Sequence, residues 1–486
     1  MNFSMIFYIA GAILCAESAL MAVPLAVSLF YQDGCAFSFL LPIAVLAAVG
    51  IILVRRKPEN TVIFAREGYV IVAGAWVVMS LFGALPFVIS GEIPSYIDAL
   101  FETVSGFTTT GASILTDVEA MSPSLLFWRS FTHWVGGMGV LVFIMAIVPL
   151  AGGRSVYLMR AETPGPTVGK LVPKMRSTAM ILYGIYVFLT VLEVILLCCG
   201  GMPLFDSLLN SFGSVGTGGF SIKADSIAYY DSAYIDIVIT VFMVLCGINF
   251  NLFYLIITGH FLQALKSEEL HYYMGVILIA TLVIAYDILS LYDSVAEALR
   301  YSVFQVGSIL TTTGYATADF NLWPPLSRTI LVVLMMLGAC AGSTSGGLKM
   351  ARLVILLKSI VRDVRKALHP RSFNVIQFEG KPVEESVVSG VGSYFALYMT
   401  VMILSVLLVS VNELDFTTTV TAVVSCFNNI GPGLEIVGPM GSYAPFNAFS
   451  TVVLTIDMLM GRLEMIPLLM LVSPTVWRRA GKRRFL

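Results

Sequence analysis

Four short glycine-containing tracts hold the residues of this chain whose types and spacing could do chemistry. They read TTTGAS at 108–113, GTGGFS at 216–221, TTTGYAT at 311–317 and NNIGPG at 428–433. Main-chain carbonyl oxygens from four converging loops can replace the hydration shell of a cation, and glycine permits the backbone angles that turn these carbonyls inward. A threonine before the glycine adds a hydroxyl oxygen. The candidate cation ligands are Thr109, Thr110, Gly111, Gly218, Gly219, Thr312, Thr313, Gly314, Asn429, Ile430 and Gly431.

The four tracts align on one glycine each and mark a repeat. The aligned glycines are Gly111, Gly219, Gly314 and Gly431, and they lie 108, 95 and 117 residues apart. Each tract follows a short apolar stretch, and these stretches occupy about 97–109, 204–215, 296–310 and 416–427. Because a bilayer span needs roughly 20 apolar residues, we interpret the four stretches as re-entrant helices. Such a helix would point its partly negative C-terminal end at the cation.

The composition indicates that lipid surrounds most of the chain. Of 486 residues, 58% are hydrophobic and 12% are charged, whereas a soluble domain carries about 25% charged residues. The net charge of −2 argues against a nucleic-acid partner. The seven cysteines form no CxxC pair, so a disulfide framework is not expected. Ten stretches are long enough to span a membrane, at about 5–30, 37–54, 69–90, 125–150, 178–200, 234–258, 272–292, 327–358, 391–411 and 447–472.

Basic residues follow the even-numbered spans, whereas the opposite loops hold mostly Asp and Glu. The basic residues are Arg55, Arg56 and Lys57; Arg154, Arg160, Lys170, Lys174 and Arg176; Lys266; Lys358, Arg362, Arg365, Lys366 and Arg371; and Arg478, Arg479, Lys482, Arg483 and Arg484. Cytoplasmic loops of membrane proteins carry the excess of Lys and Arg. The pattern therefore predicts that both termini are cytoplasmic and that every re-entrant stretch starts and ends on the outside.

The predicted fold is an all-α polytopic membrane protein with ten spans and four re-entrant pore helices. An N-terminal pair of helices (1–66) precedes four non-identical M1-P-M2 units, in which a span, a pore helix and a second span follow one another. The units cover 67–176, 177–267, 268–388 and 389–486. Four such units around one axis would form a pore of pseudo-fourfold symmetry.

Span eight contains a run of small residues that predicts a break in its helix. Four glycines within ten residues weaken a helix by several kcal/mol relative to alanine. Non-helical backbone at membrane depth is tolerated where it lines a water-filled cavity, so we expect a loop that gates the cytoplasmic side of the tracts. The alternative is a close-packed helix, because small residues also occur where membrane helices touch. The candidate gate residues are Gly338, Gly342, Ser343, Thr344, Ser345, Gly346, Gly347 and Lys349.

Arg462 lies within span ten, and a membrane-buried arginine is functional by default. One interpretation places it just below the tracts as an electrostatic barrier to cations. The other pairs it with a carboxylate on a neighbouring helix, such as Glu102, or Glu464 of a second copy of the chain. For further polar residues within spans (Glu17, Glu193, Asn249, Asn251 and His133), hydrogen bonding between helices is expected.

Three other classes of function are alternatives to a cation pore. A secondary transporter that couples the cation to protons or sodium would have the same tracts. An intramembrane enzyme needs a nucleophile with a base, or a metal cluster, but the chain has no HExxH, GxSxG or convergent Asp pair. A structural scaffold would not need four tracts in register. The sequence therefore predicts a transport protein and not an enzyme.

The chain resembles the Trk/Ktr/HKT superfamily of cation channels over essentially its whole length. The resemblance rests on the four tracts, on HWVGGMGVLVF (133–143), on GACAGSTSGGLKMARL (338–353) and on GRLEM (461–465). It implies a potassium-uptake pore subunit in a bacterial inner (plasma) membrane, with potassium as the transported ion. It also implies a homodimer, and a separate cytoplasmic regulatory subunit of the TrkA type that binds the nucleotide. A gating loop at 338–347 and an arginine at 462 match the superfamily.

In the superfamily, glycine at the aligned position of all four units goes with potassium selectivity, which Gly111 completes. Gly218 stands where tracts one and three have threonine, and Asn429-Ile430 precede Gly431, so the tracts are unequal. We therefore expect real but weaker selectivity for potassium over sodium than in a symmetric pore, with rubidium also passing. A symporter of K+ with H+ or Na+ through the same tracts remains the alternative.

Overall fold

The computed structural model describes residues 1–60, 63–139, 175–371 and 374–477, and it is mainly helical. In these ranges six helices are long and apolar enough to cross a membrane, and a seventh span is counted if one bent pair of helices is joined. Ten spans remain a prediction, since the second half of the span predicted at 125–150 lies outside the described residues. The basic residues predicted to be cytoplasmic within 154–174 and 478–484 also lie outside them.

Two helices joined by a short turn form the N-terminal pair. They are α1 (Phe3–Tyr31) and α2 (Ala36–Val54). Gly11 and Gly50 bring them together, because a Cβ on Gly11 would lie 2.6 Å from Leu53 Cβ and one on Gly50 would lie 2.6 Å from Cys15 Sγ. Small residues allow such close contact between apolar helices.

The region of the first predicted unit contains four helices within its described residues, of 19, 6, 12 and 15 residues. The elements are α3 (Ala65–Gly83), α4 (Leu85–Ser90), α5 (Tyr96–Phe107) and α6 (Pro123–Gly137). Helix α5 starts where the Ser95 side chain accepts a hydrogen bond from the main-chain N–H of Asp98, which is the usual role of serine at a helix N-cap.

The second region also begins with a long helix and a short one, which a bent pair of helices and one further short helix follow. The elements are α7 (Met175–Cys199), α8 (Leu204–Val215), α9 (Ala233–Cys246), α10 (Phe250–Ile257) and α11 (Phe261–Leu265).

The stretch predicted as a span at 234–258 is bent in its middle, because α9 and α10 meet at an angle of 94°. Gly247 caps the first helix. The Asn249 side chain accepts a hydrogen bond from the N–H of Asn251 at 2.9 Å and so caps the start of the second helix. Asparagine favours such caps over helix interiors because its side chain competes for backbone hydrogen bonds. Gly247 and Asn249 are therefore the sequence signal for the bend.

The third region carries a second interruption. Its elements are α12 (Glu268–Asp287), α13 (Val295–Leu310), α14 (Pro325–Met335), α15 (Met350–Leu368), β1 (Gln377–Phe378) and β2 (Lys381–Pro382). Helix α14 ends at Met335 and α15 starts at Met350, so the span predicted for 327–358 is interrupted by a loop, 336–349. The two strands form an antiparallel hairpin whose turn residues, Glu379 and Gly380, both have positive φ.

The fourth region contains α16 (Glu385–Val409), α17 (Phe416–Asn428), α18 (Ala448–Leu463), α19 (Ile466–Val472) and α20 (Pro474–Trp477). The stretch predicted as a span at 447–472 is likewise interrupted, between α18 and α19. Glu464 and Met465 have positive φ values of 61° and 54° between α18 and α19. Pro467, which cannot continue a preceding helix without losing a hydrogen bond, lies in the first turn of α19.

The four short helices α5, α8, α13 and α17 position the site. They contain 12, 12, 16 and 13 residues, which at 1.5 Å per residue is less than the roughly 30 Å of a bilayer core. Their C-terminal halves are fully buried among the longer helices. Each short helix leads directly into one glycine tract.

Candidate functional site

Each short helix ends with the same hydrogen-bonded turn. The residue two positions before the aligned glycine donates its main-chain N–H to the carbonyl of the residue three positions earlier. The next residue donates its N–H to the carbonyl of the residue five positions earlier. The donor pairs are Thr109 and Thr110, Thr217 and Gly218, Thr312 and Thr313, and Asn429 and Ile430. This pair of bonds is a Schellman motif, which needs a left-handed residue after the helix. The four regions therefore share one backbone conformation although their sequences differ.

The left-handed residue of this motif is not glycine in any of the four tracts. The φ angles are 54° at Thr109, 53° at Thr217, 57° at Thr312 and 57° at Asn429. A β-branched residue with positive φ is an outlier, and such strain persists only where the surrounding structure enforces it. Three strained threonines at equivalent positions make these turns the candidate functional site.

The aligned glycines also have positive φ, and they bring the four tracts together. Each glycine faces the carbonyl oxygen of the residue that precedes the aligned glycine of the next tract. A Cβ added to Gly111 would lie 2.2 Å from the carbonyl oxygen of Gly218, and one added to Gly219 would lie 1.9 Å from that of Thr313. A Cβ added to Gly314 would lie 1.9 Å from the carbonyl oxygen of Ile430, and one added to Gly431 would lie 2.8 Å from that of Thr110. Because tract four meets tract one, the contacts close into a ring, which we call the carbonyl ring.

The aligned glycines line one cavity of about 330 Å³. Arg129 and Lys223 are also among its lining residues. At its rim Lys223 Nζ donates to Glu119 Oε2 at 2.9 Å. This hydrogen bond lowers the pKa of Glu119 and raises the pKa of Lys223.

All eleven candidate ligands chosen from the sequence lie in the four turns and the carbonyl ring. Thr217 was missed, although it is the counterpart of Thr109, Thr312 and Asn429. The signal was present in the register, since all four residues lie two positions before the aligned glycine.

The side chains of these four left-handed residues each carry an oxygen atom, and we call this set of four the oxygen layer. Thr109 Oγ1 and Asn429 Oδ1 are buried without a hydrogen-bond partner among the described residues. Thr217 Oγ1 lies 3.3 Å from Thr344 Oγ1, and Thr312 Oγ1 accepts from the N–H of Gly346 at 2.7 Å. Two members of the layer thus have unused oxygens, and two contact the loop 336–349.

The loop 336–349 is also hydrogen-bonded into the bend between α9 and α10. The carbonyl of Gly247 accepts from the N–H of Cys340 at 3.0 Å, and that of Cys246 accepts from the hydroxyl of Thr344 at 3.2 Å. The N–H of Phe250 donates to the carbonyl of Gly342 at 3.0 Å. Because buried backbone groups need partners, the two interrupted spans complete each other's hydrogen bonding.

Arg462 of α18 contacts the loop from outside, and Lys349 makes contacts within it. Arg462 donates to the carbonyls of Thr344 at 2.7 Å, Gly136 at 2.6 Å and Gly137 at 2.8 Å. Lys349, which is 1% exposed, donates from Nζ to the main-chain and side-chain oxygens of Ser345. These contacts connect the loop to α6 and α18.

The carboxylates offered by the sequence as alternative partners of Arg462 are engaged elsewhere in this chain. Glu102 forms an ion pair with Arg129 at 2.5 Å, and Glu464 forms one with Arg352 at 2.6 Å. The pairing of Arg462 with Glu102 is therefore wrong.

A carboxylate on α12 accepts hydrogen bonds from the loop and from the first turn of α15. Glu269 Oε1 accepts from the N–H of Ala341 at 2.7 Å and from that of Ala351 at 3.0 Å. In the hairpin, Glu379 accepts from Ser267 Oγ at 2.8 Å and from the N–H of Glu269 at 3.0 Å. Glu269 could not be predicted from the sequence, because it contacts residues 72 and 82 positions away that meet it only in the fold.

His133 explains why tract two lacks a side chain beside its aligned glycine. A Cβ on Gly218 would lie 2.3 Å from Cγ of the His133 ring. The threonine that tracts one and three have at this position would collide with the ring. Of the polar residues assigned to contacts between helices, His133 therefore belongs to the site.

Comparison with known proteins agrees with this arrangement. A model of the TrkH family, described as a cation transport protein, matches residues 38–478. The chain is 36% identical to the Trk system potassium uptake protein TrkH of Salmonella typhimurium, over 98% of this chain and 100% of that protein. It is 31% identical to the Trk system potassium uptake protein TrkG of Escherichia coli, over 97% and 98%.

A solved structure has the same overall fold. The crystal structure of the potassium transporter TrkH from Vibrio parahaemolyticus superposes with a TM-score of 0.89 at 31% sequence identity, covering 98% of this chain and 100% of that one. The relatives are named as transport proteins, which confirms the prediction that the chain is not an enzyme. This chain therefore belongs to the TrkH family of membrane-embedded cation transport proteins.

Proposed function

We propose that this protein is the ion-conducting subunit of a Trk-type potassium-uptake system and that K+ passes through the carbonyl ring. The observation that carries the proposal is the closed order of contacts, in which every aligned glycine faces a carbonyl of the next tract. A potassium ion loses its water only where a ring of oxygens replaces it. The relatives with more than 30% identity over nearly the whole chain are named as potassium uptake proteins.

The oxygen layer supports the same route. Thr109 Oγ1 and Asn429 Oδ1 are buried and unpaired among the described residues, although buried polar atoms are normally hydrogen-bonded. A cation beneath the carbonyl ring would give both oxygens a partner. The layer is unequal, with three hydroxyls and one amide, so we expect selectivity for K+ over Na+ to be moderate and Rb+ to pass as well.

In this proposal the loop 336–349 is the gate. Gly346 and Thr344 contact the oxygen layer from one side, and Arg462 adds a positive charge beside them. A cation leaving the ring would meet both the loop and this charge. Partial deletion of 340–347 is therefore expected to raise flux in protein that still folds, and equal or lower flux would count against a gate.

The test is cation uptake by purified protein in liposomes. Wild-type protein should take up Rb+, with K+ competing better than Na+, and Gly111→Ser should reduce this preference because its Cβ would meet the carbonyl of Gly218 at 2.2 Å. Nearly equal competition by Na+ and K+ in the wild type would overturn the proposal. Uptake that follows the K+ gradient alone identifies a channel, whereas dependence on a proton or sodium gradient identifies the symporter.

We also propose the assembly and location that the superfamily resemblance implies. The protein would lie in a bacterial inner membrane as a homodimer and bind a cytoplasmic nucleotide-binding subunit of the TrkA type. Exposed basic residues at the end of α15, Arg365 and Lys366, and the adjacent Glu384 and Glu385 offer a charged surface for that subunit. Cross-linking in native membranes, with α15 charge-neutralised variants as the comparison, tests this contact.

A further inference from the structure

Helix α6 carries two buried side chains, Arg129 and His133, that both connect helix α5 to tract two. They are 3% and 0% exposed. Residues four apart lie on the same face of a helix, so the two side chains lie one above the other between tracts one and two. Neither is among the proposed ligands of the ion.

Arg129 joins the outer sides of the two tracts through Glu102. Its Nε lies 2.5 Å from Glu102 Oε1, its Nη1 donates to the carbonyl of Ser221 at 2.8 Å, and its guanidinium lies 3.5 Å over the Phe220 ring. The planar guanidinium fork suits several fixed contacts at once. Tract two is thereby held by both its main chain and its aromatic side chain.

Glu102 continues this connection into tract one. Its carboxylate accepts from Ser113 Oγ at 3.0 Å and from the N–H of Ile114 at 2.9 Å. Both residues directly follow the part of tract one that contributes to the carbonyl ring. A continuous set of hydrogen bonds therefore runs from Ser113 through Glu102 and Arg129 to Ser221.

His133 makes a parallel connection closer to the ring. Its Nε2 accepts from the N–H of Phe220 at 3.2 Å, and its Nδ1 lies 2.7 Å from the carbonyl of Gly106. Because the main-chain N–H must donate, Nε2 is the acceptor and Nδ1 carries the proton that is donated to Gly106. The ring fixes the distance between the end of α5 and tract two.

Tract two needs this outside support because it lacks the internal contact of tracts one and three. In those tracts two threonine hydroxyls clamp the turn, Thr108 with Thr110 at 2.7 Å and Thr311 with Thr313 at 2.8 Å. The equivalent residues of tract two are Gly216 and Gly218, which have no side chains. The His133 ring occupies the space beside Gly218 instead.

The connection is confined to the corner between tracts one and two. The residues nine positions before the aligned glycines are Glu102, Asn210, Gln305 and Ala422. Only the first is a carboxylate, so a charged pair of this kind cannot form from the corresponding residues of the other three short helices.

We propose that Glu102, Arg129 and His133 are positioning residues that fix the width of the carbonyl ring at this corner and so determine its discrimination between K+ and Na+. The inference rests on the proposed function. The residues act through the main chain of Gly111, Gly218 and Gly219 and do not contact the ion. Loss of the connection would let tract two move outward and let the ring adjust to either cation.

The experiment compares Rb+ uptake and its competition by K+ and Na+ in liposomes. In Glu102→Gln/Arg129→Gln both charges are removed together, which avoids a buried charge without a partner. We expect the K+/Na+ preference to fall about tenfold, the change that corresponds to about 1.4 kcal/mol, while Rb+ uptake persists. The matched control is Arg328→Gln/Glu435→Gln, an exposed ion pair at 3.2 Å, in which the preference should stay as in the wild type.

A second variant keeps the test decisive if the double variant does not fold. Glu102→Asp retains the charge but is too short to reach Arg129, Ser113 and Ile114 together, so a smaller loss of preference is expected. An unchanged preference in a variant that remains monodisperse overturns the inference. If the wild type itself shows no preference, the proposed function fails instead, so the two failures are distinguishable.

Discussion

The four aligned glycines differ in the space that each would offer to a side chain, and this difference gives a graded prediction. Gly219→Ala and Gly314→Ala place a Cβ 1.9 Å from a carbonyl, whereas Gly431→Ala places it 2.8 Å away. A non-glycine residue with positive φ also costs about 1–3 kcal/mol. We expect the first two variants to abolish Rb+ uptake and Gly431→Ala to retain a measurable fraction. Gly201→Ala has similar φ but no neighbour within 4 Å and serves as the control; equal loss in all three ring variants would contradict the ranking.

His133 and Gly218 are predicted to be coupled. Gly218→Thr alone, which copies tracts one and three, should destabilise the protein because the new Cβ would lie 2.3 Å from the His133 ring. His133→Ala/Gly218→Thr removes the collision and should recover folded protein. Thermal unfolding followed by size-exclusion chromatography measures the coupling. Additive effects of the two substitutions would show that the ring does not exclude the threonine.

At the scale of elements, Arg462 connects α18, α6 and the loop 336–349. Arg462→Ala removes a positive charge and the hydrogen bonds to Thr344, Gly136 and Gly137. We expect cation uptake to increase several-fold. This corresponds to lowering the energy barrier for the cation by about 1 kcal/mol. The comparison variant is Arg352→Ala, because Arg352 forms an ion pair with Glu464. Uptake equal to or below that of the wild type would remove Arg462 from the gate.

Glu269 is predicted to stabilise the closed arrangement of the same loop. Glu269→Gln replaces a charged acceptor for the N–H groups of Ala341 and Ala351 by a neutral one, and charge-assisted hydrogen bonds are roughly twice as strong as neutral ones. Uptake should rise while folding is retained. Glu268→Gln is the matched control, since its carboxylate pairs with Lys358 and not with the loop. A rise of the same size in the control would assign the effect to the cytoplasmic ion pairs.

At the scale of the whole molecule, the predicted orientation can be checked directly. A protease-cleavable tag added after Leu486 should be cut in inside-out vesicles and protected in intact spheroplasts, because the basic residues after the even-numbered spans predict that both termini are cytoplasmic. A tag placed in the loop that contains Asp117 should behave in the opposite way. Cleavage of both tags from the same side would contradict the orientation.

The repeated parts of the molecule could be predicted from sequence, and the interruptions only partly. The aligned glycines and short apolar stretches indicated the carbonyl ring, because each is a local pattern. The glycines at 338–347 likewise indicated the loop. The bend at Gly247 and the break at Glu464 were missed, because long apolar runs hide single capping residues. Glu269, Arg129 and His133 act through contacts between distant segments, for which one sequence holds no periodic signal.

The carbonyl ring is closed by four corners that all belong to one polypeptide. In an assembly of identical subunits a single codon change alters every corner together, and intermediate combinations never exist. Here each corner can drift alone, as the proline after Gly431 and the paired glycines of tract two already illustrate. Selectivity in this architecture can therefore change one corner at a time. A series of variants with one, two, three or four altered corners would reproduce these changes in the laboratory.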